Sequence, residues 1–256
     1  MLKFKYKRVV KFYLGKLFPF ISTSVKRPER YSNTLKGKKG LEIGGPSKIF
    51  EDYGDLPVYK HIQSLDCSNF GNSTIWEGSL KEGPYYRYNK NKTGYQYIKE
   101  ASNLIGIQDE TYDFLLSSHC LEHCANAIKT LNEWKRVIKY GGYLLIIVPD
   151  RFSTFDHKRP LTTFQHFADD FKKNIGEDDL THLEEILKNH DLSIDKSGGS
   201  LEQFAKRSEN NIENRCLHHH TFDLKNLTEL LTYVNFTIVE KEFHKPFHNI
   251  ILARKE

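Results

Sequence analysis

The stretch YDFLLSSHCLEHCANAIKTLNEWKRVIKYGGYLLIIVPD, residues 112–150, determines how this chain folds. It opens with an apolar run at 112–118 and closes with a still more apolar run at 143–149. Between them, apolar residues recur at helical spacing until Tyr140-Gly141-Gly142, which is a typical helix stop. Two continuously apolar strands joined by a helix predict a parallel sheet that is covered on both faces.

The rest of the chain continues this alternation of strands and helices. We predict seven strands in an α/β fold, mostly parallel, with an antiparallel last strand and a helical insertion at 151–220 after the fifth strand. The insertion is polar and rich in histidine, and two helices are predicted in it, near 162–174 and 178–189. The other predicted elements are strands at Lys39–Ile43, His61–Leu65, Tyr95–Lys99, 236–243 and 247–253, and a helix at 224–234.

Charge divides the chain into two parts. Residues 1–38 are basic, and we predict an amphipathic helix and a linker there, ahead of one domain at 39–256. That helix either packs on the domain or lies on an anionic membrane face through residues 1–21, and both alternatives remain open. The remainder is slightly acidic, which argues against a nucleic-acid partner. Four scattered cysteines and no run long enough to span a bilayer favour the cytoplasm, at the inner face of the membrane if the helix binds there.

Polar residues follow each predicted strand. Ligands of an open parallel sheet bind beyond the C-terminal ends of its strands. Glycines there let the backbone approach a ligand, an acid after the second strand binds ribose hydroxyls, and an acid after the third accepts from an adenine amino group. The residues concerned are the turn Gly44-Gly45-Pro46-Ser47 in LEIGGPSKIF (41–50), then Asp66, Glu100 with Ala101, Ser118 with His119, and Asp150. Together they predict a nucleoside pocket.

The chain resembles the class I S-adenosylmethionine-dependent methyltransferases, which have a Rossmann-like fold. LEIGGPS resembles their first motif, IKEASNL (98–104) their adenine segment, residues 110–150 their strand–helix–strand block, and 220–242 their closing helix and strand. The resemblance implies S-adenosylmethionine as cofactor. It implies that the methionine end is held by Glu42, Gly44, Gly45, Pro46 and Ser47, the ribose by Asp66, the adenine by Glu100 and Ala101, and the methyl end by Ser118 and His119. The turn departs from the family because Pro46 and Lys48 replace two of its glycines.

Histidines of the insertion are the candidate bases. A sugar hydroxyl is a weak acid, so its methylation calls for a base, and imidazole serves at neutral pH. FDHKRPLTTFQHF (155–167) and RCLHHHTF (215–222) supply such side chains, with Asp156 available to orient a ring. The predicted catalytic residues are His119, His157, His166 and His219, and Arg159 is predicted to bind a phosphate or carboxylate of the acceptor.

The resemblance extends to enzymes of bacterial surface-polysaccharide pathways. It favours O-methylation of a sugar, a sugar nucleotide or a phosphorylated glycan decoration. N-methylation of an amino sugar or small amine remains an alternative, as does cofactor binding without catalysis. HCLEH (119–123) matches an inverted zincin pattern, and Cys216 with His218–His220 offers metal ligands. His119 precedes the helix, however, and adjacent residues of a strand point apart, so no bound metal is predicted.

Overall fold

The computed structural model describes residues 25–195 and 197–256. The amphipathic helix predicted at 1–21 lies outside these ranges. The strands are β1 (Lys39–Ile43), β2 (Ser64–Asn69), β3 (Ser73–Thr74), β4 (Gly78–Ser79), β5 (Gly83–Asn89), β6 (Lys92–Ile98), β7 (Tyr112–Ser118), β8 (Ile138–Pro149), β9 (Phe236–His244) and β10 (His248–Lys255). The helices are α1 (Pro28–Leu35), α2 (Ala127–Val137), α3 (Phe164–Lys173), α4 (Leu183–Asn189), α5 (Leu201–Glu209), α6 (Asn211–Asn214) and α7 (Leu224–Tyr233).

One sheet of eight strands organises the domain, in the order β5-β6-β2-β1-β7-β8-β10-β9. The pairs from β6 to β8 are all parallel, whereas β10 runs antiparallel to both β8 and β9. The predicted α/β class, with its mostly parallel sheet and antiparallel last strand, is therefore confirmed. The eighth strand is β5, which adds an antiparallel edge beside β6. It escaped prediction because only Tyr86 and Tyr88 show the alternation of a strand, while Tyr85 beside them is exposed.

The prediction for the second strand was wrong. β2 begins at Ser64 and ends at Asn69, so the predicted end at Asp66 falls in its middle. Parallel pairing with β1 sets this register, in which Lys39 lies opposite Ser64 and Ile43 opposite Ser68. Local sequence does not reveal such a register, since the partner strand lies more than 20 residues away.

The sheet is buried on both faces, as its apolar strands predict. β8 shows this within five residues: Leu144, Ile146 and Val148 belong to one core cluster, and Leu145 and Ile147 to the other. Helices α2 and α7 cover the first face, where Trp134 is fully buried. Helix α1 and the segment after the glycine turn cover the second face.

The insertion builds a layer of its own over the C-terminal edge of the sheet. Its predicted helices appear as α3 and α4, and α5 and α6 add to them. A small core of Ile186, Phe204 and Leu217 holds this layer together. The amide of Asn126 joins it to the domain by donating to the carbonyl of Asp170 at 3.0 Å. Within 25–195 and 197–256, no helix has the length and apolar character needed to cross a bilayer.

Candidate functional site

A cavity of about 1010 Å³ opens beyond the C-terminal ends of the parallel strands, with the insertion as its far wall. Most of the predicted cofactor residues line it. They are Gly44, Pro46, Ser47, Glu100, Ala101, Ser118 and His119. Three predicted residues do not line it, namely Glu42, Gly45 and Asp66.

Glu42 supports the glycine turn from behind instead of contacting a ligand. It is fully buried, and its carboxylate accepts from the Ser47 hydroxyl at 2.6 Å and the Tyr59 hydroxyl at 2.7 Å. Tyr86 also donates to it. Burial raises the pKa of Glu42, and the hydrogen bonds from Ser47 and the two tyrosines offset part of that rise. The predicted contact with the methionine end is therefore corrected to a loop-holding role.

The two glycines of the turn serve different purposes. Gly44 has φ +75° and lines the cavity, so its backbone is open to a ligand. Gly45 lies against the buried carboxyl group, where an added Cβ would be 2.3 Å from Cδ of Glu42 and 2.6 Å from the Tyr86 hydroxyl. Only glycine fits there, since no side chain tolerates such distances.

The carboxylate of Asp66 is hydrogen-bonded within the sheet, and Asp66 does not line the cavity. Its carboxylate accepts from the backbone N–H of Tyr95 and from the Tyr112 hydroxyl, both at 2.9 Å. The residue at the true end of β2 is Asn69, which lines the cavity and donates through Nδ2 to the carbonyl of Gly45 at 3.2 Å. The predicted ribose acid is thus replaced at the strand end by an amide.

The insertion closes over the predicted adenine segment. Arg215 of the insertion forms a salt bridge with Glu100, and its guanidinium carbon lies 5.2 Å from the centre of the Phe70 ring. Glu177, also from the insertion, is close enough to accept from the backbone N–H of Ala125 at 3.2 Å. Burial raises the pKa of Glu177 to about 7. This end of the cavity is therefore lined by an aromatic ring and by charged groups.

His119 is held from two sides at the end of β7. It has φ +54°, in the left-handed region that few non-glycine residues adopt. Its Nε2 lies 2.9 Å from Nδ1 of His248, and its Nδ1 lies 3.5 Å from Oε1 of Glu122. Glu122 is fully buried, and neither of its oxygens has a hydrogen-bond partner among the described residues. A backbone held in this conformation is common at binding sites.

The other predicted catalytic and substrate residues lie outside the cavity wall. His157 contacts Asp191 at 2.9 Å, and His166 belongs to a separate cluster on α3. His219 is buried against the amide of Asn211, and burial lowers its pKa to about 3. Arg159 is 3% exposed and paired with buried Asp156 at 3.1 Å, which corrects its predicted contact with the acceptor.

Of the three adjacent histidines His218, His219 and His220, only His218 lines the cavity. The sequence did not distinguish it from its two neighbours. Its Nδ1 lies 2.6 Å from Oδ2 of Asp156. Burial lowers the pKa of His218, but the charge and hydrogen bond of Asp156 outweigh that effect and raise it. Burial alone would raise the pKa of Asp156. The charges and hydrogen bonds of His218 and Arg159 outweigh burial and hold that pKa well below its usual range. Arg159 also donates to the His218 carbonyl at 2.8 Å, so it positions this pair.

The remaining wall is polar and aromatic. Trp76 is 53% exposed and packs edge-on against His123, with 5.4 Å between ring centres. His123 packs in turn against His218 at 4.7 Å. Phe155, His190, Asp195 and Arg207 complete this side. Such a wall offers hydrogen bonds and a flat aromatic surface to a second molecule.

One protein family matches part of this chain, and several solved structures are similar to it. Residues 68–146 match the family described as a methyltransferase domain. Similar solved structures include a SAM-dependent methyltransferase from Aquifex aeolicus (14% identity, 90% of this chain and 89% of that chain, TM-score 0.45). Another is the Burkholderia thailandensis 1,6-didemethyltoxoflavin-N1-methyltransferase with bound S-adenosylhomocysteine (14%, 98% and 89%, 0.46). A search of the curated proteins finds no match. Likeness at this level says nothing about the acceptor of this chain.

Proposed function

We propose that this chain, which is a methyltransferase with S-adenosylmethionine as its cofactor, methylates a hydroxyl group of a sugar, a sugar nucleotide or a glycan decoration. The observation that carries the proposal is His218, which lines the cavity that the glycine turn enters and is paired with the buried Asp156 behind it. An amine acceptor needs no strong base, whereas a hydroxyl gains from one placed beside the methyl donor.

The cavity lining suits this cofactor. Gly44 offers open backbone for the methionine end and Asn69 an amide for the ribose. Glu100 and Phe70 stand where the adenine would bind, and Arg215, which contacts both, would have to share them with the base. Ser118 and His119 line the cavity at the end of β7, and we assign the side chains around His218 to its acceptor half. The cofactor, when bound, supplies the methyl group and carries its own leaving group.

His218 is the residue that we assign as general base. Its Nδ1 lies against the ionised Asp156, so Nδ1 carries the proton and Nε2 keeps a free lone pair. The carboxylate also stabilises the imidazolium that forms when Nε2 takes the proton of the acceptor hydroxyl. His123 beside it is neutral, because burial lowers its pKa to about 4, and so it does not compete for the proton.

The acceptor half of the cavity favours a polyhydroxylated molecule. Trp76 offers a flat apolar face, while Asp195 and His190 offer polar contacts around it. The whole cavity, at about 1010 Å³, reaches the upper end of the ~300–1,000 Å³ that single drug-sized ligands occupy. It can therefore hold a second molecule beside a nucleoside cofactor. The role in surface-polysaccharide synthesis follows from the resemblance of the sequence and is part of the same proposal.

A basic N-terminal segment suits an acceptor carried at the cytoplasmic face of the membrane. We propose that residues 1–21 bind anionic lipid there, on the strength of their lysines and one-sided apolar pattern. Co-sedimentation of the full chain with phosphatidylglycerol vesicles should exceed that of a chain beginning at Val25. Equal sedimentation of the two chains would exclude membrane binding by this segment.

A methyl-transfer screen tests the proposed acceptor class. Labelled S-adenosylmethionine is incubated with the wild-type chain and with sugars, sugar nucleotides, amino sugars and small amines. We expect label in an alkali-stable ether on a sugar hydroxyl. Label confined to amines would replace O-methylation by N-methylation, and cofactor binding without transfer to any acceptor of the panel would contradict the proposal.

Measuring the affinity for S-adenosylhomocysteine shows whether Asn69 or Asp66 contacts the bound cofactor. We expect Asn69→Ala to weaken binding of S-adenosylhomocysteine about tenfold, because a hydrogen-bonded contact worth ~1.5 kcal/mol is lost at the strand end. Asp66→Asn should leave affinity within about twofold, since this side chain does not line the cavity. Isothermal titration of the two variants beside the wild type measures both. A strong loss with Asp66→Asn alone would restore the ribose role to that residue.

A further inference from the structure

A second group of histidines and acids lies apart from the cavity, under α3. His166 and Asp170 stand one turn apart on that helix, His182 precedes α4, and His220 lies in the segment that leads to α7. None of them lines the cavity. We propose that these four residues bind a divalent transition-metal ion of the zinc class. The inference does not rest on the proposed acceptor.

The distances between their ligand atoms suit one ion. Nε2 of His166 lies 2.8 Å from Nε2 of His182 and 3.2 Å from Oδ2 of Asp170, and Nε2 of His220 lies 3.8 Å from that same oxygen. Metal–nitrogen and metal–oxygen bonds of about 2.0–2.2 Å in a tetrahedron place ligand atoms roughly 3.3–3.6 Å apart, and the separations of 2.8, 3.2 and 3.8 Å lie on either side of that range. His166, Asp170 and His220 also hold their ligand atoms mutually within 4.8 Å.

Two buried atoms of the group lack a hydrogen-bond partner. Asp170 is 6% exposed and His220 1%, and Oδ2 of Asp170 and Nδ1 of His220 have no hydrogen-bond partner in the described part of the chain. Nε2 of His220 lies 3.2 Å from the carbonyl of Ala125, so the ring gives up that contact when it ligates the proposed ion. A buried carboxylate oxygen beside imidazole nitrogens is an environment that a bound cation would stabilise.

A carboxylate outside the group prepares His182 for ligation. Oδ2 of Asp179 lies 3.3 Å from Nδ1 of His182, which places the ring proton on Nδ1 and leaves Nε2 to face His166. Metal-binding histidines commonly carry such an outer carboxylate. Three imidazoles and one carboxylate favour zinc, cobalt or nickel over the oxygen-seeking magnesium and calcium.

His219 is excluded as a ligand although it lies nearby. Its Nε2 accepts from Nδ2 of Asn211 at 3.1 Å, and Oδ1 of that amide accepts from the backbone N–H of Leu217. The orientation of the amide is therefore set, and the proton of the His219 ring resides on Nδ1. The proposed ion would tie α3 and the start of α4 to the segment that carries His218.

Metal analysis of the full chain, produced without a histidine tag, tests the site. After treatment with EDTA, addition of zinc and removal of free ion, we expect about one equivalent of zinc by mass spectrometry. The melting temperature should rise with zinc concentration, because a ligand that binds only the folded chain stabilises it. Cobalt in place of zinc should give the visible absorption bands of a tetrahedral centre.

The variants His166→Ala and His182→Ala should lose the ion, and His157→Ala, which changes a half-buried histidine of the same insertion, should keep it. His218→Ala should also keep it, which separates this site from the cavity group of Glu122, His123 and His218. If the alanine variants fail to fold, the cobalt spectrum of the wild type decides alone. A wild-type chain that retains no zinc and gives no cobalt bands would overturn the proposal, as would loss of the ion only with His218→Ala.

Discussion

His218→Ala is expected to lower kcat for methyl transfer to a sugar hydroxyl by about 10²- to 10⁴-fold, the range typical of a general base. Affinity for S-adenosylhomocysteine should stay within about twofold, because the ring stands in the acceptor half of the cavity. Single-turnover assays with the best acceptor of the screen measure the rate, and calorimetry measures affinity. Retention of more than a tenth of the wild-type rate would remove His218 from the role of base.

The matched control is His157→Ala, which removes an imidazole from the same insertion but outside the cavity wall. It should retain at least half of the wild-type rate. Asp156→Asn should slow the reaction as well, because the ring then loses the charge that favours its protonated form.

The pH profile of the wild type gives an independent readout. The pKa of His218 is raised above 6.5, so the free base declines as pH falls through that raised value. We therefore expect kcat/KM to be constant above the pKa and to fall tenfold per pH unit below it. The acid limb should vanish in His218→Ala. A limb that persists unchanged in that variant would assign it to another group.

Glu42→Ala is expected to have the largest effect on stability. The change leaves the hydroxyls of Tyr59 and Tyr86 and the Ser47 N–H without their shared acceptor in a fully buried site. We expect the free energy of unfolding to fall by about 3 kcal/mol. The melting temperature should then fall by about 10 °C in a domain of this size, as followed by circular dichroism.

Glu51→Ala is the control, since that exposed glutamate lies in the same segment and its loss should cost less than ~0.5 kcal/mol. Glu42→Ala should also weaken cofactor binding, because the turn at Gly44 and Gly45 loses its support. A Glu42→Ala chain as stable as the wild type would show that the carboxylate contributes nothing to the turn.

Local pattern determined most of the fold. Strand β1 and strand β7 have the predicted bounds, and the helices α3, α4 and α7 lie within their predicted ranges. These elements are predictable because each depends on its own apolar period and on the turn that ends it. The continuous apolar runs also established that both faces of the sheet are covered.

Residues of the candidate site could be predicted only where the C-terminal end of the strand before them could be predicted. Gly44, Glu100 and His119 line the cavity as the order of strands suggests, because the C-terminal ends of parallel strands meet at one edge. The prediction for Asp66 is wrong because the end of β2 depends on pairing with a distant strand. The predicted ligand contact of Glu42 does not hold because Tyr59 and Tyr86, from segments 17 and 44 residues away, surround its carboxylate.

By itself, then, the sequence determined the class of fold and the edge of the sheet where the cavity opens, since short-range periodicity and turn residues encode both. The kind of cofactor followed from the resemblance of the sequence to a known family. Only the tertiary structure decided which of three adjacent histidines lines the cavity and which acid orients it. Neighbouring residues in an extended segment point in different directions, and Asp156 meets His218 across 62 residues of chain. That contact depends on how the insertion packs, which no local pattern records.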